Sequence, residues 1–213
     1  MSPEIRRVRD DELRAYLRTA IDGYVRYHAQ SKWELRQPRN LIEVDELHAL
    51  TDDATAALWR FLAETDWVAT IKAERRSPSD RLPWTLTNAR AASITEQGDA
   101  LWVRLLDLPR ALEARTYAGE GRVVLEIVDP EASGGRCRVA LDVGPEGARC
   151  TSTEKSPELT VHTSAVAAAY LGGTRLRDAA VATGGMDEHR AGAGADAERL
   201  LRTPDEPWCS TFF

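Results

Sequence analysis

The chain has 213 residues, 43% of them hydrophobic and 29% charged, which is the composition of a folded globular protein and not of a disordered one. Its formal net charge of -6 argues against a general nucleic-acid binder, which needs a basic surface. No stretch reaches the roughly 20 apolar residues that span a bilayer, and the charged opening "MSPEIRRVRDDELR" has no signal-peptide core, so we expect a cytoplasmic protein without a membrane partner.

In chain order, residues 10–29 carry Leu13, Leu17, Ile21, Tyr24 and His28 at spacings that share one helical face, with Asp10 and Asp11 as caps. Pro38 stops that helix. "LIEVDELHAL" alternates Leu41, Glu43 and Asp45 against Ile42, Val44 and Glu46 and reads as a strand. Thr51 and Asp52 cap a helix with an apolar face of Ala56, Trp59 and Leu62 or Ala63, and residues 67–73 are a second strand. The first region therefore reads α-β-α-β. The small polar residues and prolines of 74–99 mark a linker, so the expected domains are 1–97 and 98–213.

After the linker, "ALWVRLLDLPRALEARTYA" reads as strand, turn and helix, with Asp107 as cap and Pro109 in the first turn. "RVVLEIVD", "RCRVALDVG" and "GARCTST" read as an antiparallel meander, and "ELTVHTS" as a further strand. Three short helices follow in "SAVAAAYLGG", "TRLRDAAVATGG" and "ADAERLLRT". The fold class is thus α/β followed by α+β, the second part a sheet of about five strands with helices on one side. Cys137, Cys150 and Cys209 show neither CxxC nor Cys/His metal spacing and read as reduced thiols. A bridge between Cys137 and Cys150, on expected neighbour strands, stays open.

The stretches "DELHALTDDATAALWRFLAETD", "LPWTLTNARAA", "GDALWVRLLDLPRALEARTYA", "LEIVD", "AYLGG" and the terminal "PWCSTFF" occur in this order. Together they resemble the C-terminal half of the enhanced-intracellular-survival family of GNAT-type acetyltransferases, over about residues 40–213. The resemblance implies a truncated GNAT-like region followed by a sterol-carrier-like domain. It also implies that the C-terminal carboxylate, here that of Phe213, serves as general base toward an amine. Alternatively, Trp208, Phe212 and Phe213 only pin the terminus into a groove.

The family's acetyl-CoA signature, (Arg/Gln)-x-x-Gly-x-(Gly/Ala) between a strand and a helix, has no match, and Gly23 is the only glycine before position 98. We therefore expect a chain that lacks the acetyl-CoA-binding domain and uses no cofactor or metal. It would activate an amine in a specialised biosynthetic pathway, for instance for ring closure with loss of an anionic leaving group. The expected partners are a small-molecule amine and a second polypeptide, or further copies of the chain. The alternatives are an acetyltransferase subunit completed by a separate GNAT polypeptide, and a non-catalytic module for an apolar ligand.

The best local constellation is "WELRQPRNLIEVDELH". Arg36 and Arg39 flank Pro38 and would grip an anion, and Asp45 would orient or deprotonate the amine. Trp33 and Trp208 are assigned with the two arginines to substrate binding. A solvated Arg/Glu surface is the plain alternative. His28, expected at a helix C-terminus, and His48, His162 and His189 are read as structural or exposed.

Overall fold

The computed structural model describes residues 21–211. These divide into one unit that runs to Gly98 and takes in the residues from Trp208 on, and a second unit, Asp99–Pro207.

The first unit contains β1 (Gly23–Gln30), a small hairpin of β2 (Trp33–Glu34) and β3 (Gln37–Pro38), β4 (Asn40–Ala49), α1 (Asp52–Ala63) and β5 (Val68–Ala73). The sheet order is β1-β4-β5, with β1 antiparallel and β5 parallel to β4. Part of the helix expected over 10–29 lies outside the described residues, and its remainder is strand β1. The cause is tertiary. Tyr24, Arg26 and His28 alternate with Val25 and Tyr27, so this stretch also fits a period of two. Val25 and Tyr27 pack on the core, while β4 pairs with β1 from Leu41 to Ala49 with one irregularity.

Helix α1 begins at Thr51, whose hydroxyl accepts the Ala54 N–H at 3.1 Å, as its capping signal suggests. Its buried residues are Ala54, Leu58, Trp59 and Leu62, and Ala56 is only half-buried. Leu58, Trp59 and Leu62 share one core with Ile42, Val44 and Leu47 of β4. Residues 74–98 hold only a short α2 (Leu82–Thr85) and a 3-10 turn, Ala89–Ala91.

In the second unit, α3 (Leu108–Ala114) is capped by Asp107, which accepts the Arg110 N–H at 3.2 Å. The strand expected just before it does not form. Residues 100–105 have no strand partner among the described residues, and an unpaired extended segment has no ladder for its backbone groups. The meander is formed by β6 (Gly121–Val128), β7 (Arg136–Gly144) and β8 (Gly147–Ser152), followed by β9 (Leu159–His162), parallel to β6, and β10 (Asp187–Glu188). The sheet order is β10-β9-β6-β7-β8. Helices α4 (Thr163–Ala169), α5 (Leu176–Ala180) and α6 (Ala193–Leu201) join α3 in a single core against Val123, Leu125, Ile127, Val139, Leu141 and Leu159. Glu126, between the buried Leu125 and Ile127, points to the opposite face, where Arg138 and Arg136 bond it at 2.7 and 2.9 Å. His162 is structural here: its Nδ1 accepts the Ser164 N–H at 3.2 Å and caps α4.

The cysteines are free. Cys150 lies opposite Leu141 and Cys137 opposite Ile127, so the two are four residues out of register. That is roughly 13 Å of strand, too far for a bridge. Burial pushes the Cys150 thiol up to about 11.

The stretches "LEARTYA" and "AYLGG" meet around Arg115. Its guanidinium lies 4.7 Å from the Tyr117 ring centroid and 5.7 Å from that of Tyr170. It also donates to the Leu201 carbonyl at 3.0 Å, while the two tyrosines donate to the Leu112 and Ala111 carbonyls. These motif residues therefore tie α3 to the ends of α4 and α6. Gly172 ends the α4 region with φ +92, and a Cβ there would sit 2.3 Å from Thr203 Oγ1. We expect Gly172→Ala to destabilise the protein by at least about 1 kcal/mol, read as a lowered urea midpoint. An unchanged midpoint would mean that neither the backbone nor Thr203 resists the added methyl group.

Candidate functional site

The outer face of the β1-β4-β5 sheet carries a charged cleft of about 170 Å³ lined by His28, Glu43, Val44, Asp45, Lys72, Glu74 and Arg75. Its geometry starts with a register break. Arg26 pairs with Glu46 and Tyr27 with Val44, so Asp45 is the extra residue of a β-bulge. Simple alternation would send Glu46 inward with Ile42 and Val44. After the bulge, Leu47 is buried instead, and Glu46 joins Glu43 and Asp45 among the half-buried residues.

Strand β1 answers these carboxylates with every second residue. Tyr24 OH donates to Glu46 Oε2 at 2.9 Å, and Arg26 Nη2 meets Glu46 Oε1 at 2.9 Å. His28 Nε2 lies 2.9 Å from Glu43 Oε2 and its Nδ1 lies 3.5 Å from Asp45 Oδ2. The Gln30 amide also donates to Glu43. Arg26 Nε stands 3.9 Å from the Asp45 oxygen that faces His28. From β5 and its extension, Lys72 bonds Glu74 at 3.0 Å, and the Arg75 guanidinium lies 3.5 Å from the Asp45 carbonyl. Arg75 holds a left-handed backbone, φ 50. The hydrogen bond from Lys72 lowers Glu74 below its ordinary value and raises Lys72 above its own.

A strand face that presents carboxylates between cationic neighbours can receive an ammonium group or hold a protonated imidazole. Asp45, identified from the sequence, sits at the centre of this cluster. His28, placed on a helix by the sequence reading, is its nearest cross-strand partner. The alternation in "YVRYHAQ" is the signal that would have revealed it. Lys72, Glu74 and Arg75 carried no such signal, because only the parallel pairing of β5 with β4 brings them here. Among the described residues no group of three or more His, Cys, Asp or Glu side chains has the arrangement of a metal site.

The remaining sequence-predicted residues lie elsewhere. Arg36 occupies the two-residue turn between β2 and β3, where Leu35 has φ 47 and Arg36 φ 65. This is the backbone of a type I′ hairpin, ordinarily given to Asn and Gly. Arg39 follows β3, and both arginine side chains are exposed without a partner among the described residues. Six residues of extended chain separate Arg39 from Asp45, roughly 20 Å, so the two arginines do not converge on that carboxylate. Trp33 lies beside the hairpin turn, its ring 6.2 Å from that of Trp67. Trp208 is 44% exposed. Phe213 lies outside the described residues.

The hydrogen bonds that His28 makes to the Glu43 and then the Asp45 carboxylate raise it above its ordinary value of 6.5. A raised histidine contributes stability that is fully present below its unfolded value and is lost as pH rises through its folded value. We expect Glu43→Gln to bring the His28 titration back toward 6.5 in an NMR titration of the imidazole. An unmoved midpoint would remove Glu43 as the cause.

Residues 3–110 match the acetyltransferase (GNAT) domain and residues 108–210 the sterol carrier protein domain. An uncharacterized N-acetyltransferase of Streptomyces avermitilis is 42% identical over 91% of this chain and 46% of its own length. N-acetyltransferase Eis of Mycobacterium tuberculosis is 40% identical over 76% of this chain and 38% of its own length. The crystal structure of Eis1 from Mycobacterium abscessus superposes with a TM-score of 0.74 at 32% identity, covering 92% of this chain and 49% of that one. A GCN5-related N-acetyltransferase from Anabaena variabilis, 19% identical with a TM-score of 0.66 over 94% of this chain and 53% of its own, shares the fold. This chain spans about half the length of the curated relatives it matches. The GNAT match begins at residue 3, and the truncation expected for residues 1–97 finds no support in it. The chain belongs to the GNAT acetyltransferase domain family, with a sterol carrier protein domain joined behind it.

Proposed function

We propose that the chain is the acceptor-side module of an N-acetyltransferase, and that its first unit receives the amine at the His28–Glu43–Asp45 cleft. The observation that carries this reading is the 42% identity to an N-acetyltransferase over 91% of the chain. The bulged strand supports it by turning Glu43, Asp45 and Glu46 to one face, which suits an ammonium ion. The relatives named above are N-acetyltransferases, so acetyl transfer takes precedence over the cofactor-free ring closure expected from the sequence.

GNAT chemistry takes its acetyl group from acetyl-CoA, whose pyrophosphate needs a cradle of backbone N–H groups. The described residues of the first unit do not fit it. Gly23 lies in a strand, with His48 O 2.7 Å from where a Cβ would stand, and Gly98 lies in irregular chain. The acetyl donor is therefore held outside the described residues of this unit. The chain's own part is to hold the amine beside carboxylates and to accept its proton. The Phe213 carboxylate, assigned as general base through the family resemblance, and the Arg36/Arg39 pair, as a grip on an acidic substituent of the substrate, belong to the same proposal. A protein partner belongs to it as well, supported by the exposed Trp33, Trp67 and Trp84.

The test is acetyl transfer from acetyl-CoA to a panel of small mono- and polyamines, followed by mass spectrometry of the amine. It is run on the chain alone and on the chain co-expressed with its genomic neighbours. We expect Glu43→Gln with Asp45→Asn to raise KM for the amine about tenfold with a smaller change in kcat. Removal of Phe213 should lower kcat instead. Transfer that survives both changes unaltered would sink the assignment, and no transfer under any of these conditions would sink the reading as a whole.

A further inference from the structure

The second unit carries a basic pocket that the acetyltransferase reading does not use. It is an open hollow of about 360 Å³, lined by Arg175, Arg177, Ala195, Glu198, Arg199 and Arg202. The formal charge of that lining is +3, on a chain whose net charge is -6. Two of the arginines have ordinary explanations. Arg199 and Arg202 stand at the C-terminal end of α6, where a positive charge suits the helix dipole. Arg199 donates to the Glu120 carbonyl at 3.0 Å and to Asp196 at 3.2 Å, and Arg202 to the Gly173 carbonyl at 2.7 Å.

Arg175 and Arg177 have no such account. Both are exposed, and neither guanidinium has a partner among the described residues. Glu198 accepts the Arg177 backbone N–H at 3.4 Å, which leaves the Arg177 side chain uncommitted. With Glu198 in the lining and Arg199 paired to Asp196, two positive charges remain uncompensated, which suits a doubly charged anion. Guanidinium forks match phosphoryl oxygens two at a time, and the volume lies at the small-ligand end of binding pockets. We propose that this pocket binds the phosphoryl groups of a phosphorylated small molecule, with the unpaired Arg175 and Arg177 as its grips and Arg199 and Arg202 as its floor.

The proposal is independent of the amine cleft, since both the residues and the readout differ. The experiment is titration calorimetry at constant ionic strength with three probes: inorganic phosphate, pyrophosphate and adenosine 3′,5′-bisphosphate. We expect saturable binding of pyrophosphate, and an Arg175→Gln/Arg177→Gln variant that binds it at least tenfold more weakly. Arg104→Gln, at a distant surface ion pair, should bind as the parent does. Tighter binding of the bisphosphate than of pyrophosphate would assign the phosphates to a nucleotide, and the reverse to a free or terminal diphosphate. Equal binding by parent and double variant, or none by the parent, overturns the proposal. So does a polyglutamate peptide that binds more tightly than every phosphate probe, because the surface would then be a protein contact. If the double variant shows altered circular dichroism, Arg175→Lys/Arg177→Lys replaces it. That variant keeps the charge but loses the fork, and it should still weaken pyrophosphate several-fold.

Discussion

The pairing of β4 with its two neighbours is the constraint on which the first unit rests. One strand must cover a core on one side and present charge on the other, with β1 antiparallel on one edge and β5 parallel on the other. Ile42, Val44 and Leu47 meet the first requirement by packing against Leu58, Trp59 and Leu62 of α1. The bulge at Asp45 reconciles the two requirements, because it changes the phase of the strand between Val44 and Leu47. Without that change, Glu46 would point into the helix layer, where an unpaired carboxylate is costly.

The second unit has a different economy. Its core is shared between the sheet and four short helices, which bury Ala165, Ala169, Ala180, Ala193 and Ala197 in it. What holds helices this short is not their own propensity. It is the burial of their apolar faces in the common core, reinforced by side-chain anchors on main-chain carbonyls from Arg115, Tyr117 and Tyr170. Motifs that carried the family resemblance are thus accounted for by packing. Resemblance to a family and assignment of chemistry rest on different residues in this chain.

The meander of the second unit was legible in the sequence because each strand is bounded by its own turn and is paired with its sequence neighbour. Local signals sufficed there, as they did for Thr51 and Asp107 as helix caps. The segment around His28 satisfied both a helical and an extended periodicity, and only a partner about twenty residues away decided between them. The stretch at 100–105 shows the converse, since a strand-like pattern without a partner remains irregular. In the charged cleft, Asp45 was legible as an acid on a strand. Its surroundings were not, because a bulge exists only relative to the neighbouring strand, and nothing in "EVDELH" alone tells which residue is the supernumerary one.

That bulge also bears on how such a cluster is recognised or transplanted. Three carboxylates on one face of a regular strand would stand at every second position and span five residues. Here they occupy Glu43, Asp45 and Glu46, within four. The pattern to search for in other sheets is therefore a two-then-one spacing, followed at once by an apolar residue. Copying the same three side chains onto an unbroken strand would scatter them over both faces. What has to be carried across is an insertion, and with it the loss of one rung of the ladder.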